Sequence, residues 1–234
     1  MNDGHDRHST LTPRRGMPFR ERVRTAEAYG ILLLLIVSLL IVTAVAGSSD
    51  SGRLAVLVIQ GGVLLFALWT ARAERRLLRI ALIVVPLAIT IVALIYGSGA
   101  DAGRATVTSV GAGLALCAIV AIAQQVVSHP QIDAVTILAA ICTYLLIGLF
   151  FASLYTIIGT LDGGSFFVRA SATTPVDFLY FSFVTLTTLG YGDLTPAGDL
   201  GRMLAVTEAL FGQLYLVTVV ALVIGNVGVQ RNRD

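Results

Sequence analysis

Seven consecutive residues, Thr187–Asp193 with the sequence TTLGYGD, have the types and spacing needed to build an ion path from backbone oxygen atoms. Gly190 and Gly192 are separated by one residue, and glycine adopts backbone dihedral angles that are closed to other residues. This freedom allows successive carbonyl groups to face the same way, and Thr188 adds a hydroxyl at the inner end of the row. Four copies of such a segment could replace the water shell of a dehydrated cation.

A short helix is expected immediately before this segment. Thr174 suits the N-cap, Pro175 the first helical position, and Asp177 the positive end of the helix dipole. A helix from Pro175 to Thr187 has about 13 residues and is roughly 20 Å long, which is too short to cross a membrane. Its C-terminus therefore ends near the membrane centre, where its partial negative charge favours a cation.

The composition is that of an integral membrane protein. Of 234 residues, 56% are hydrophobic and 13% are charged, and the mean hydropathy is +0.85. A membrane span needs about 20 apolar residues, and several runs reach that length. We therefore predict an all-α fold with six transmembrane helices and a re-entrant loop at 160–201, between spans five and six. The predicted spans are 26–46, 54–71, 77–96, 106–127, 132–159 and 202–229.

The distribution of arginine predicts the orientation. All sixteen basic residues are arginine, and twelve of them lie in residues 1–25, in the 72–79 connection or in 230–234. Positive residues are enriched on the cytoplasmic side of membrane proteins. Both termini are therefore expected in the cytoplasm, with 1–25 as a disordered basic tail and 230–234 as a short tail. The first apolar run is too long for a secretory signal, so we expect it to remain as a span. We expect the protein to lie in the cell membrane.

Residues 132–229 resemble the tetrameric pore-loop potassium channels, in the order outer helix, pore helix, filter and inner helix. The resemblance is carried by Thr187–Asp193 and by its position between two spans. It implies a homotetrameric pore domain at 132–229 after a four-helix membrane domain at 26–127, with K⁺ as the transported ion and no cofactor. The residues that it assigns to the K⁺ selectivity filter are Thr188, Leu189, Gly190, Tyr191 and Gly192, with Thr187 and Asp193 as filter support.

The side chains near the filter follow from the same resemblance. The family commonly has valine where this chain has Leu189, but that residue contributes a backbone carbonyl, so we expect conduction to survive the exchange. The aromatic residues expected around the filter with Tyr191 are Phe178, Tyr180, Phe181 and Phe183.

The last span contains two residues with two interpretations each. Gly212 is either a gating hinge, as the resemblance implies, or a site of close helix packing. Glu208 either braces the filter by bonding a pore-helix hydroxyl such as Ser182 or Thr185, or is a protonated packing residue. On the same span, the residues that share one face and are expected to line the cavity or gate are Leu216, Val220 and Ile224.

Voltage sensing is not expected from this sequence. Span four, at 106–127, contains no arginine or lysine, and a voltage sensor needs several charges because each supplies only about 2.3 kcal/mol per 100 mV. Four arginines share a helical face at the cytoplasmic boundary, where anionic lipid headgroups could bind them. They are Arg72, Arg75, Arg76 and Arg79.

Three function classes remain open at this point. The first is a potassium-selective passive channel, the second a less selective cation channel, and the third a non-conducting assembly or regulatory subunit. An enzyme is not expected, because no nucleophile–base pair or metal cluster is recognisable, and no nucleic-acid partner is expected. Cys117 and Cys142 lie in apolar runs and are interpreted as free thiols.

Overall fold

The computed structural model describes residues 19–46, 49–70, 75–97, 101–128, 134–161, 165–168 and 173–231. These residues form seven α-helices and no β-strand beyond one isolated bridge. The helices are α1 (Phe19–Ala46), α2 (Asp50–Thr70), α3 (Arg75–Gly97), α4 (Asp101–Ser128), α5 (Ala134–Leu161), α6 (Pro175–Leu186) and α7 (Asp199–Arg231). The prediction of an all-α fold is confirmed for the described residues.

Four of the described helices are long and apolar enough to cross a membrane. They are α1, α2, α5 and α7, which contain the apolar spans Glu27–Ala46, Ser51–Thr70, Val135–Leu161 and Asp199–Ala221. Helices α3 and α4 contain shorter apolar stretches, Leu78–Val92 and Thr108–Ile122. Six spans therefore remain a prediction, of which four have the required length and hydropathy.

The helix ends differ from the predicted span ends. Helix α1 begins at Phe19, so residues 19–25 are helical and do not belong to a disordered tail as the sequence suggested. Helix α7 continues to Arg231, two residues past the predicted end of the last span. Residues 1–18 and 232–234, which make up the rest of the two predicted tails, lie outside the described residues.

The N-terminal helices pack against α5, the predicted outer helix, of the same chain. Helices α1 and α4 contact α5, and α2 lies against both α1 and α4. Their shared core buries Leu32, Ile122 and Leu146. Within it, the side-chain amide of Gln60 donates to the Gly111 carbonyl at 2.9 Å and thereby ties α2 to α4. The bundle thus gives α5, and through it the pore loop, a fixed support.

A second, aromatic cluster joins α5 to α6 and to the segment between them. Its buried members are Phe151, Tyr155, Phe166, Phe167, Phe178 and Phe181. Phe166 and Phe167 come from residues 165–168, which pair with the chain that follows the filter. The Val168 amide donates to the Thr195 carbonyl at 3.0 Å, and the Ala197 amide donates to the Phe166 carbonyl at 2.9 Å. The chain that follows the predicted filter is therefore bonded at its backbone to residues 166–168.

Candidate functional site: the pore loop

The short helix α6 begins with a reciprocal cap. Thr174 has an extended backbone, with φ −106° and ψ 160°, and its hydroxyl oxygen accepts from the Asp177 amide. In return, the Asp177 carboxylate accepts from the Thr174 amide at 2.7 Å. Both interactions satisfy amides that a helix N-terminus leaves without partners. The predicted start of this helix, with Thr174 as N-cap and Pro175 in the first turn, is confirmed.

The other end of α6 is held between α5 and α7. The Tyr144 hydroxyl of α5 donates to the Leu186 carbonyl at 3.1 Å. From the opposite side Gly212 of α7 approaches so closely that a Cβ atom there would lie 2.5 Å from the Leu186 carbonyl oxygen. Close packing at Gly212 is therefore a direct observation, whereas its role as a hinge stays a prediction.

The sign of the backbone angle φ alternates along the predicted filter. The angle φ is +57° at Thr188, +55° at Gly190 and +78° at Gly192, and it is not positive at Leu189 or Tyr191. When the sign of φ alternates, successive peptide groups point in the same direction, so that their carbonyl groups lie on one side of the chain. This is the backbone conformation that a row of convergent carbonyl oxygens requires. The assignment of these residues to an ion filter stays a prediction.

Thr188 adopts a left-handed conformation without being glycine. For a residue with a Cβ atom this costs roughly 1–2 kcal/mol, so its surroundings must hold it. Its amide donates to the Thr185 carbonyl at 2.9 Å, and its hydroxyl donates to the Thr187 carbonyl at 2.7 Å. The amides of Leu189 and Gly190 both reach the Val184 carbonyl, at 2.9 and 3.3 Å. The last turn of α6 therefore holds the inner half of the segment.

At the outer end, one aromatic residue of α6 supports the predicted filter. The Tyr180 hydroxyl donates to the Asp193 carboxylate at 2.9 Å. The Tyr180 ring is stacked on Tyr191, with centroids 6.4 Å apart and planes within 4°. Asp193 therefore has a bonded partner directly beyond the two glycines.

The other three aromatic residues of α6 pack elsewhere. Phe178 and Phe181 do not surround the filter as the resemblance implied, because they face α5 and join the aromatic cluster around Tyr155. Phe183 packs against α5 at Gly148, where a Cβ atom would meet its ring at 2.7 Å. A helix places residues three apart on one face, which explains why 178 and 181 turn away together.

Glu208 is the centre of a buried hydrogen-bond network. Its side chain is 0% exposed and lies between the outer helix α5 and the pore helix α6. One carboxyl oxygen accepts from the Tyr155 hydroxyl at 2.6 Å, and the other lies 2.5 Å from the Ser182 hydroxyl. The Ser182 hydroxyl is also 2.7 Å from the Gly148 carbonyl. Of the two partners expected from the sequence, Ser182 is the one that Glu208 contacts.

The hydrogen atoms in this network can be counted. The single hydroxyl proton of Ser182 faces two oxygens that otherwise only accept, the Gly148 carbonyl and the Glu208 carboxyl. If Ser182 donates to Gly148, the carboxyl must donate to Ser182, and every polar atom is then satisfied. This arrangement requires a neutral Glu208, which avoids a buried charge without a cationic partner. The geometry therefore favours a protonated glutamic acid that also links three helices.

Sequence reasoning missed one polar residue at the inner end. The side-chain amide of Gln213 donates to the Thr188 hydroxyl oxygen at 3.1 Å. The available signal was a carboxamide immediately after Gly212 in an otherwise apolar stretch of helix. Farther along α7, Leu216 and Val220 are exposed in the single chain, while the Ile224 side chain lies outside the described part.

Three of the four predicted lipid-binding arginines lie at the start of α3. Arg72 lies outside the described residues, and Arg75, Arg76 and Arg79 lie in the first two turns of α3.

Both cysteines are free thiols. Among the described residues, no group of three or more His, Cys, Asp or Glu side chains could hold a metal ion.

Comparison with known proteins matches the same region. Residues 133–228 match the model of an ion channel family. "Two pore potassium channel c" of Oryza sativa subsp. japonica is 46% identical over 50 residues, which are 21% of this chain and 11% of that protein. "Protein LctB" of Geobacillus stearothermophilus is 48% identical over 44 residues, 19% of this chain and 32% of that protein. The chain thus spans a third or less of the length of the curated relatives that it matches.

The matching family model and the rice relative both carry the description of a channel. The family match at residues 133–228 spans α5, the capped helix α6, the segment with alternating φ and most of α7. Residues 133–228 of this chain are therefore similar to an ion channel family, and part of the chain is similar to a potassium channel of rice.

Proposed function

We propose that this protein is the subunit of a homotetrameric, potassium-selective channel that conducts K⁺ passively. The observation that supports this proposal most is the alternating backbone hand at Thr188, Gly190 and Gly192, at the end of a capped half-length helix. Rings of backbone carbonyls in this arrangement replace the hydration shell of K⁺. Two proteins that are similar to part of this chain carry the words potassium channel in their names, which favours K⁺ as the ion.

The tetramer is proposed because one chain supplies only a quarter of each oxygen ring. In the single chain, Leu189 and Tyr191 are 56% and 66% exposed, although they flank the glycines of the predicted filter. The first half of α7 also leaves apolar side chains exposed, including Leu210, Phe211 and Leu214. Four chains around a central axis would cover these surfaces and close the rings.

The proposed topology has six spans, with both termini in the cytoplasm and the pore loop facing outward. The positive-inside distribution of arginine supports this orientation, and the cell membrane is the proposed location. We propose that the channel is not strongly voltage-gated, because the apolar stretch of α4 from Thr108 to Ile122 contains no basic residue. The arginines at 72, 75, 76 and 79 are proposed to bind anionic lipid headgroups.

The test is K⁺ flux into liposomes that contain only the purified protein. Wild type should conduct K⁺. Gly190→Ala should abolish the flux, because a residue with a Cβ atom is strained at φ +55°. The effect would not come from a steric clash, since the added Cβ would meet no atom within 4 Å. Gly198→Ala is the matched control, since its Cβ would also meet nothing within 4 Å and its backbone is not left-handed. Absence of flux from a verified wild-type tetramer, or equal loss in both variants, would overturn the proposal.

The less selective cation channel is distinguished by reversal potentials in mixed Na⁺ and K⁺. A reversal potential that follows the K⁺ gradient supports the proposal, and one that follows the sum of both gradients supports the alternative. A tetramer that assembles without conducting either ion would identify the regulatory or assembly subunit.

A further inference from the structure

The inner end of the pore loop has a side-chain partner outside the loop. Gln213 lies on α7 directly after Gly212, whose lack of a side chain brings α7 against the end of α6. This close approach brings the Gln213 amide within 3.1 Å of the Thr188 hydroxyl oxygen. Gln213 is otherwise exposed in the single chain, as a residue that faces the central axis of a tetramer would be.

The orientation of the Gln213 carboxamide follows from the hydrogen atoms. The Thr188 hydroxyl uses its proton on the Thr187 carbonyl at 2.7 Å, so its oxygen can only accept from Gln213. The nitrogen of the carboxamide must therefore face Thr188, and the carboxamide oxygen points away from it. No described residue donates to that oxygen, which leaves it available as a cation ligand or as an acceptor for the water around a cation.

We infer that Gln213 is a positioning residue for the innermost cation site of the pore. It fixes the Thr188 hydroxyl oxygen toward the ion path and adds a second ring of oxygens below it, from the carboxamides of four subunits. Thr188 needs such a contact because its left-handed backbone, φ +57°, is strained for a residue with a Cβ atom. The inference rests on the proposed potassium channel and concerns the step at which an ion exchanges water for protein oxygens.

The experiment uses Ba²⁺ applied from the cytoplasmic side of tetramers in planar bilayers. Ba²⁺ has nearly the radius of K⁺ and twice its charge, so it reports on the same oxygen ligands by blocking the pore. Gln213→Leu keeps the size of the side chain and removes the hydrogen bond and the oxygen. Loss of one such bond should weaken Ba²⁺ block by about threefold or more.

Two controls separate positioning from general damage. The double variant Gln213→Leu with Leu214→Gln keeps the composition of α7 but moves the carboxamide about 100° around the helix, so it should not restore block. In a Thr188→Val background, where the hydroxyl is absent, Gln213→Leu should weaken Ba²⁺ block much less than it does in wild type, because the two residues act as a pair.

The outcomes distinguish this inference from the proposed function. If wild type conducts no K⁺, the proposed function itself fails. If wild type conducts and Gln213→Leu leaves Ba²⁺ block unchanged, or the Leu214 double variant restores it, only the role of Gln213 is overturned. Equal effects of Gln213→Leu with and without the Thr188 hydroxyl would likewise overturn the pairing.

Discussion

The hydroxyl of Tyr155 and the carboxyl of Glu208 lie 2.6 Å apart in a contact that is 0% exposed at both residues. This bond joins the outer helix α5 to the inner helix α7, and the second carboxyl oxygen reaches Ser182 on the pore helix α6. One side chain therefore fixes the distance between all three helices of the pore region. Its protonation state decides which substitutions the network accepts.

The neutral state of Glu208 predicts that glutamine can replace it. In Glu208→Gln the carboxamide oxygen accepts from Tyr155 and the nitrogen donates to Ser182, so each hydrogen bond is kept. Glu208→Leu leaves the buried Tyr155 hydroxyl without its acceptor, at a cost of about 1–3 kcal/mol, and also removes the hydrogen bond to Ser182. Thermal dissociation of the tetramer and K⁺ flux should therefore be near wild type for glutamine and strongly reduced for leucine. If glutamine destabilises as much as leucine, Glu208 is charged and the hydrogen count is wrong.

The two hydroxyl partners should differ in importance. Tyr155→Phe removes one hydrogen bond and keeps the aromatic packing with Phe181, so we expect a loss of about 1 kcal/mol of stability. Ser182→Ala removes two contacts, those of its hydroxyl with the Gly148 carbonyl and with the Glu208 carboxyl, so its loss should be larger. Chemical denaturation of the detergent-solubilised tetramer measures the order, and the reverse order would contradict the network.

Gly212 provides a test of packing against hinge motion. In Gly212→Ala the new methyl group would lie 2.5 Å from the Leu186 carbonyl oxygen, and a backbone atom cannot move away cheaply. We expect a loss of about 1–3 kcal/mol in tetramer stability together with reduced flux. Gly113→Ala in α4 is the control, since its Cβ would meet nothing within 4 Å and alanine favours a helix. Loss of flux at unchanged stability would instead support a hinge at Gly212.

Voltage should have little influence on the open probability. The apolar stretch of α4 contains no charged residue, so no group there can move across the field. The conductance of reconstituted tetramers is expected to change only shallowly between −100 and +100 mV, a range of about 4.6 kcal/mol per transferred charge. A steep curve that Arg75→Gln and Arg76→Gln flatten would assign the sensor to α3.

The parts of the site that sequence reasoning predicts are those set by neighbouring residues. The cap of α6 is visible because Thr174 and Asp177 are three residues apart, the spacing that a capping box requires. Glycine at positions 190 and 192 permits the positive φ values that the structure has there. The contact of Glu208 with Ser182 was anticipated because both lie close to the pore loop on adjoining helices.

The parts that it misses depend on how helices are rotated against each other. Gln213 reaches Thr188 across 25 residues of sequence, and only the orientation of α7 beneath α6 brings them together. Phe178 and Phe181 turn toward α5 because Phe166 and Phe167 pack there, from a segment with no regular structure for the sequence to signal. The helical start at Phe19 was missed because residues 19–25 are rich in charge and were interpreted as a tail.

Two backbone hydrogen bonds join residues 166–168 to residues 195–197, at the predicted outer mouth of the pore. Hydrogen exchange at these bonds can report the opening of this mouth. The amides of Val168 and Ala197 exchange with deuterium only when this pairing opens, because each is committed to a carbonyl on the other segment. Their exchange times would therefore measure how often residues 195–197 separate from residues 166–168. A conductive tetramer in which both amides exchange together would show that the outer mouth opens as one cooperative unit.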